Sequence, residues 1–373
     1  METSTSPQHQ YEAFHFVGMP LEFEDLTNYK RFGLHPVTLG DVLPKPLTCV
    51  SDVNKEPRYR IMLKLGYGAF ATVWLARDLV EKRYVAVKVG RGSDKPLPDR
   101  EAEILSQIRE TGPGKLGYER VIELLDVLTE WIPPVFGDRD PHVGNFGITL
   151  PQLEQFEEDD IMEQFAIPEI IPVVPRDPKF PINSIPPYIV PSASIGYFLE
   201  EKKAFPAGLL NVKILDFGRA YRMSQAAPNL LGAPPKMIRP PEFVLYELCH
   251  GKIDSTWSEA ADIWALGCTL YHVKLGAYLI SMSGSLKDFL FRAIQFGGPP
   301  PEAWPKLWIT HDRQLAHEDF LFDRTKVWKV PHNEERLKFL NFIQRMIITN
   351  PDGRPSTTAL LTDPFMVASA GIE

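Results

Sequence analysis

The chain has 373 residues, 44% of them apolar, enough to bury the core of one large domain or two moderate ones. Its net charge of −8 argues against a general nucleic-acid binder and suits a basic partner. Three cysteines at wide spacing, Cys49, Cys249 and Cys268, form no CxxC pair, so neither a disulfide framework nor a zinc site is expected and a reducing compartment is inferred.

The opening METSTSPQHQ lacks a basic stretch followed by an apolar one, and no run approaches the roughly 18 apolar residues of a membrane span. A soluble intracellular chain is therefore expected, in cytoplasm or nucleus, with no membrane contact and no direct nucleic-acid contact, and a monomer. Residues 1–57 read as a polar arm lying on the domain, with scattered aromatics (Phe14, Phe16, Phe23, Tyr29) and one possible strand in HPVTLGDVL.

From Tyr59 the apolar pattern takes period two in YRIMLKL, TVWLAR and YVAVKV, which predicts antiparallel strands. DREAEILSQIRE predicts a helix, and RVIELLDVL a further strand. A proline-rich stretch over 149–210 follows, with acidic QLEQFEEDDIMEQF at its front as a candidate helix; behind it the prolines forbid regular helix or central strand, so an extended insertion wrapped on a surface is expected. Beyond Trp257 the pattern is mostly helical.

Between the first two strands lies Leu65-Gly66-Tyr67-Gly68-Ala69-Phe70-Ala71-Thr72-Val73, whose glycines would let the backbone approach phosphate oxygens. Alone it reads first as an ordinary glycine hairpin. In Val85-Ala86-Val87-Lys88-Val89 the three valines share one strand face and Ala86 with Lys88 the other. Lys88 then points from the strand, either as a functional group or as a snorkelling surface lysine. On the next helix Glu101 shares the inward stripe with Ile104, Leu105 and Ile108, while Glu103 points elsewhere. Lys88 is its natural partner; the alternative is a solvated carboxylate at a frayed helix start.

Gly-rich loop, strand lysine and helix glutamate in this order resemble the small lobe of the eukaryotic protein kinases. The resemblance extends to Asp216-Phe217-Gly218 after VKIL, and to Asp138-Arg139-Asp140-Pro141-His142-Val143-Gly144-Asn145, where Asp140 stands five residues before Asn145. It extends further to Pro240-Pro241-Glu242, to Asp262-Ile263-Trp264-Ala265-Leu266-Gly267, and to Arg354, which in the family pairs with that glutamate. The resemblance implies an α+β, two-lobe kinase fold: a small antiparallel-sheet lobe with one helix over 58–130, a larger helical lobe over 131–366 containing the 149–210 insertion, and a tail over 367–373. It implies ATP and Mg²⁺ as cofactors. Leu65, Gly66, Gly68, Val73, Ala86 and Lys88 would bind the nucleotide, and Glu101 would hold Lys88. Asp140 would take the substrate hydroxyl's proton, and Asn145 with Asp216 would hold the metal.

Within the kinases, HPVTLGDVL, LGYGAFATVWLARD and the late insertion resemble the SR-protein kinases and their fungal relatives, which implies serine/threonine transfer onto an Arg/Ser-rich protein. Two departures keep other readings open. His142 stands where Ser/Thr kinases have lysine, and DPHVGN is similar to loops of small-molecule phosphotransferases. Between VIELLDVL and the catalytic loop only TEWIPPVFG remains, roughly ten residues reaching at most about 35 Å. That is too short for a fifth strand, a hinge and two helices, so the fold is expected to be incomplete in its middle, and a partner-binding pseudokinase is the second reading.

Overall fold

The computed structural model describes residues 12–17, 23–30, 33–49, 52–68, 71–92, 100–115, 117–127, 145–165, 170–181, 184–205, 210–217, 235–253, 258–280, 284–307, 324, 327–328 and 333–370. They fall into two compact units, one made of 1–137 and 148–213, the other of 138–147 and 214–373. Among the described residues no helix is long and apolar enough to cross a membrane.

The first unit is built on an antiparallel sheet. After a short arm strand β1 (Phe14–His15) come β2 (Val42–Leu43), β3 (Tyr59–Tyr67), β4 (Ala71–Asp78) and β5 (Arg83–Gly90), the last four hydrogen-bonded in that order. The three period-two segments thus form the strands expected of them, and HPVTLGDVL supplies β2 from inside the arm. Alternation along β5 is clear: Val85 is buried and Val87 and Val89 half-buried, while Ala86 and Lys88 are exposed. The β4–β5 turn is fixed by Asp78, whose carboxylate accepts the N–H groups of Val80 and Glu81 at 3.0 and 3.2 Å. Helix α1 (Arg100–Thr111) follows, with Leu105 buried.

RVIELLDVL departs from its expected strand: residues 122–127 have no regular secondary structure. Side chains take up its backbone groups instead. Arg109 donates to the Leu124 carbonyl at 3.3 Å and Lys55 to that of Val127 at 3.2 Å. The segment expected to lack the hinge lies within 128–144, outside the described residues.

Strand β6 (Phe146–Ile148) and β10 (Val212–Ile214) pair with each other, and the boundary between the units falls within both. Between them run α2 (Glu158–Gln164), β7 (Ile171–Pro172), β8 (Val174–Pro175), β9 (Tyr188–Ile189) and α3 (Ile195–Glu201). Helix α2 falls in the acidic segment read as a candidate helix, whereas α3 is a helix where none was expected: IGYFLEE holds no proline, so its N–H groups are free to form the helical ladder. The sequence reading groups 149–210 with the larger lobe, whereas the structure packs 148–213 with the sheet.

Three apolar clusters explain that difference. Leu153, Ile161, Ile195, Phe198 and Leu199 of the insertion pack on Met62, Leu63 and Leu75 of the sheet. Ile171, Val173, Ile185 and Ile189 form a second cluster with Phe14, Phe23, Leu26, Tyr29 and Leu34 of the arm, where β8 also pairs with β1. Val190 joins Val37, Leu43, Ile61, Trp74 and Val85 in a third. Burying this much apolar surface outweighs proximity in sequence. The arm likewise is part of the unit's core rather than a separate segment.

The second unit is helical: α4 (Pro241–Leu248), α5 (Glu259–Leu275), α6 (Leu286–Gly297), α7 (Glu334–Met346), α8 (Thr357–Leu361) and α9 (Pro364–Ala370). Its core gathers Val244, Leu245, Ile263, Trp264, Leu290, Ile294, Phe342 and Ile343. Helix starts carry the caps their sequences offer: Ser285 with Asp288, Asn333 and Ser356 each accept a backbone N–H of the first turn. An antiparallel sheet with one long helix in one unit, and helices in the other, is the α+β arrangement expected.

Candidate functional site

Lys88 and Glu101 meet at 2.7 Å, Nζ to Oε2, and their side chains keep 36% and 18% exposure. The strand sets up the lysine: in antiparallel register Lys88 lies opposite Val73, and Val73 in turn lies opposite Gly66. Ala86, two residues before Lys88 and opposite Leu75, shares that face. The helix sets up the glutamate, which sits half-buried on the same stripe as Leu105. Glu101 thus has the lysine partner expected for it.

The glycine loop begins where the sheet ends. Leu65 is half-buried against the insertion cluster, and the Gly68 N–H donates to the Ala71 carbonyl at 2.8 Å to close the hairpin. Leu65, Gly66, Val73, Ala86, Lys88 and Glu101 lie on adjoining strands and α1, and Gly68 in the turn just after β3, all within the first unit.

In the second unit Asn145 is 5% exposed, and its carbonyl accepts the N–H of Leu215 at 2.8 Å. That bond sets Asn145 beside the residue preceding Asp216. Asp216 has φ of +71°, the left-handed region that non-glycine residues adopt at a cost of about 1–3 kcal/mol. An amide oxygen and a carboxylate are hard oxygen donors suited to Mg²⁺. The candidate residues Asp140, Asp138, His142 and Gly218 lie outside the described residues.

Two structural marks are in place. Glu242 opens α4 and pairs with Arg354, and Asp262 to Gly267 fall within α5, where Trp264 is fully buried. Sequence reasoning missed Glu24 and Lys64, a fully buried ion pair at the base of the glycine loop. The available signal was a lysine inside the otherwise apolar run Ile61-Met62-Leu63-Lys64-Leu65.

No protein-family model matches the chain. Its named relatives are serine/threonine protein kinases. Over 93% of its length it is 24% identical to a serine/threonine protein kinase of Aspergillus fumigatus, covering 91% of that protein. A stretch of 110 residues, 29% of the chain, is 37% identical to serine/threonine-protein kinase spk-1 of Caenorhabditis elegans but spans 10% of that protein. Another of 107 residues, 28% of the chain, is 35% identical to SRSF protein kinase 3 of Homo sapiens and spans 17% of it. A crystal structure of a kinase domain aligns with a TM-score of 0.47 at 15% identity, over 88% of this chain and 99% of that one. The resemblance to SR-type serine/threonine kinases is thus borne out by the relatives. The Aspergillus alignment runs over 402 positions; 93% of 373 residues is about 347, so about 55 positions hold no residue of this chain.

Proposed function

We propose that the chain is a serine/threonine protein kinase that transfers the γ-phosphoryl group of MgATP to a hydroxyl of a basic, Arg/Ser-rich protein. The observation behind this reading is the 2.7 Å ion pair between Lys88 on β5, the second strand after the glycine loop, and Glu101 on α1. Lys88 orients the α- and β-phosphates, and Glu101 keeps its ammonium in place. Leu65, Val73 and Ala86 line the adenine, while Gly66 and Gly68 let the backbone approach the phosphates. Asp140 orients the attacking hydroxyl. Asn145 and Asp216 hold Mg²⁺, which supplies neutralisation of phosphate charge. The net charge of −8 favours a basic substrate.

A second reading, a partner-binding chain without turnover, is favoured by the roughly 55 unmatched positions in the Aspergillus alignment. One experiment separates the two. Thermal unfolding is followed with and without MgATP, and labelled phosphate transfer to an Arg/Ser peptide is measured alongside. A MgATP-dependent rise in Tm and transfer, both lost in Lys88→Met, are expected of the kinase. A shift without transfer supports the second reading; the absence of both effects overturns the assignment of the nucleotide site.

A further inference from the structure

Lys64 stands immediately before Leu65 and Gly66, and it is held from two other parts of the chain. Its ammonium is bonded to Oε2 of Glu24 in the arm. It also donates to the Val190 carbonyl of the insertion at 3.3 Å, and its own carbonyl accepts the Ala193 N–H at 2.7 Å. The other Glu24 oxygen accepts the Tyr29 hydroxyl at 2.7 Å. The two charged side chains are 1% and 2% exposed, and the rings of Tyr67 and Trp74 lie 5.7 and 5.4 Å from the ammonium. Burial pulls the Lys64 pKa down, and Glu24 opposes it. Burial, with Glu24 adding, pushes the Tyr29 hydroxyl well up.

An ion pair with both members out of water is often no more stabilising than apolar side chains of the same volume, because each charge loses its hydration. What it does supply is a single direction and a single register. The place where it sits matters for that reason. The β3–β4 register shifts between Lys64 and Gly66, so the strand loosens into the glycine loop at this point.

We propose that Lys64 is a positioning residue for the nucleotide loop: Glu24 of the arm and Val190 and Ala193 of the insertion pin the end of β3 and so set where Gly66 and Gly68 lie. Nucleotide affinity then depends on the docking of the arm and the insertion through this one lysine. The proposal rests on the reading of Gly66 and Gly68 as a phosphate loop.

The test compares the full chain with Lys64→Met, Glu24→Gln and the double variant Glu24→Met/Lys64→Met, using amide hydrogen exchange, calorimetric titration with MgADP and thermal unfolding. The single variants are expected to speed exchange of the Lys64 to Gly68 and Ala71 to Val73 amides by about tenfold or more, with the amides of α5 and α7 within about twofold. MgADP binding weakens about tenfold in the same variants, and the double variant regains thermal stability but not affinity or loop protection. Recovery of all three in the double variant, or uniform acceleration across both units, would make the pair a packing device and overturn the proposal. A parent chain that does not bind MgADP defeats the kinase reading separately, and the exchange pattern alone then decides whether the pair pins the loop.

Discussion

Arg354 and Glu242 are 112 residues apart in sequence and meet through two parallel hydrogen bonds of 2.7 Å, Nη1 to Oε1 and Nη2 to Oε2. The guanidinium also donates to the carbonyls of Ile348, Ala260 and Thr349, and it lies 5.1 Å from the Trp264 ring centroid. One fully buried side chain thereby joins the start of α4, the start of α5 and the turn after α7. Glu242→Gln leaves that guanidinium short of its counter-charge, and an unfolding loss of about 3–5 kcal/mol in the helical unit is expected. Urea unfolding read through exchange of the α5 amides measures it. A loss below about 1 kcal/mol would mean that the three carbonyls alone suffice.

Asp78 predicts an acid transition in the sheet unit. Its side chain is fully buried and accepts from Arg58 Nε at 2.8 Å and Nη2 at 2.7 Å. The Arg58 guanidinium holds the carboxyl at about 2, against burial and with help from the Glu81 and Val80 N–H groups. The unfolded value is about 3.9, so the folded group is the stronger acid. Its stabilisation is complete above that value and is lost as pH falls through about 2. The urea midpoint of the sheet unit should therefore fall between about pH 4 and pH 2. Asp78→Asn should start lower at neutral pH and change less over that interval. Parallel pH profiles for the two proteins would refute the assignment.

Phe198 tests whether the insertion belongs to the sheet unit energetically as well as by packing. It is fully buried, with the Phe156 and Phe165 rings at 5.0 and 6.1 Å, in the cluster that covers Met62, Leu63 and Leu75. Phe198→Ala should cost about 3–5 kcal/mol. Exchange should rise across β3, β4 and β5 and stay unchanged in α5. A loss felt in the helices instead would return the insertion to the larger lobe.

What the sequence made legible follows from the range of the forces involved. Period-two valines in β5 and the inward stripe of α1 are local patterns that give Lys88 and Glu101 their directions, and the cost of leaving a buried carboxylate unpaired makes them partners. The Arg354–Glu242 pair was legible only through resemblance, since nothing local links residues that far apart. The insertion was misplaced because its partners, such as Phe14 for the Ile171 cluster and Leu75 for Phe198, lie far away along the chain. Lys64 was missed for a geometric reason. Strict alternation in YRIMLKL puts Lys64 on the face of Arg60 and Met62, opposite Ile61, Leu63 and Leu65; both faces are buried from Ile61 to Lys64 because the arm and the insertion, distant in sequence, cover the strand.

Two glycines at helix ends separate crowding from backbone strain. Gly297 closes α6, and a Cβ there would lie 2.4 Å from Thr349 Oγ1 and 2.6 Å from its backbone nitrogen. The Gly297 carbonyl also accepts the Thr349 N–H at 3.1 Å, and Thr349 is fully buried, so neither side can yield without breaking that bond. Gly276 caps α5 at φ of +68°, with nothing within 4 Å of a built Cβ. Gly297→Ala should therefore destabilise by about 2–4 kcal/mol through overpacking and a lost hydrogen bond. Gly276→Ala should cost about 1–2 kcal/mol, the steric penalty of a left-handed alanine. Chemical denaturation of the two variants gives the order. If Gly276→Ala were the more damaging, the α6 contact with Thr349 would have to relax at little cost, and the close approach there would not be what makes glycine necessary.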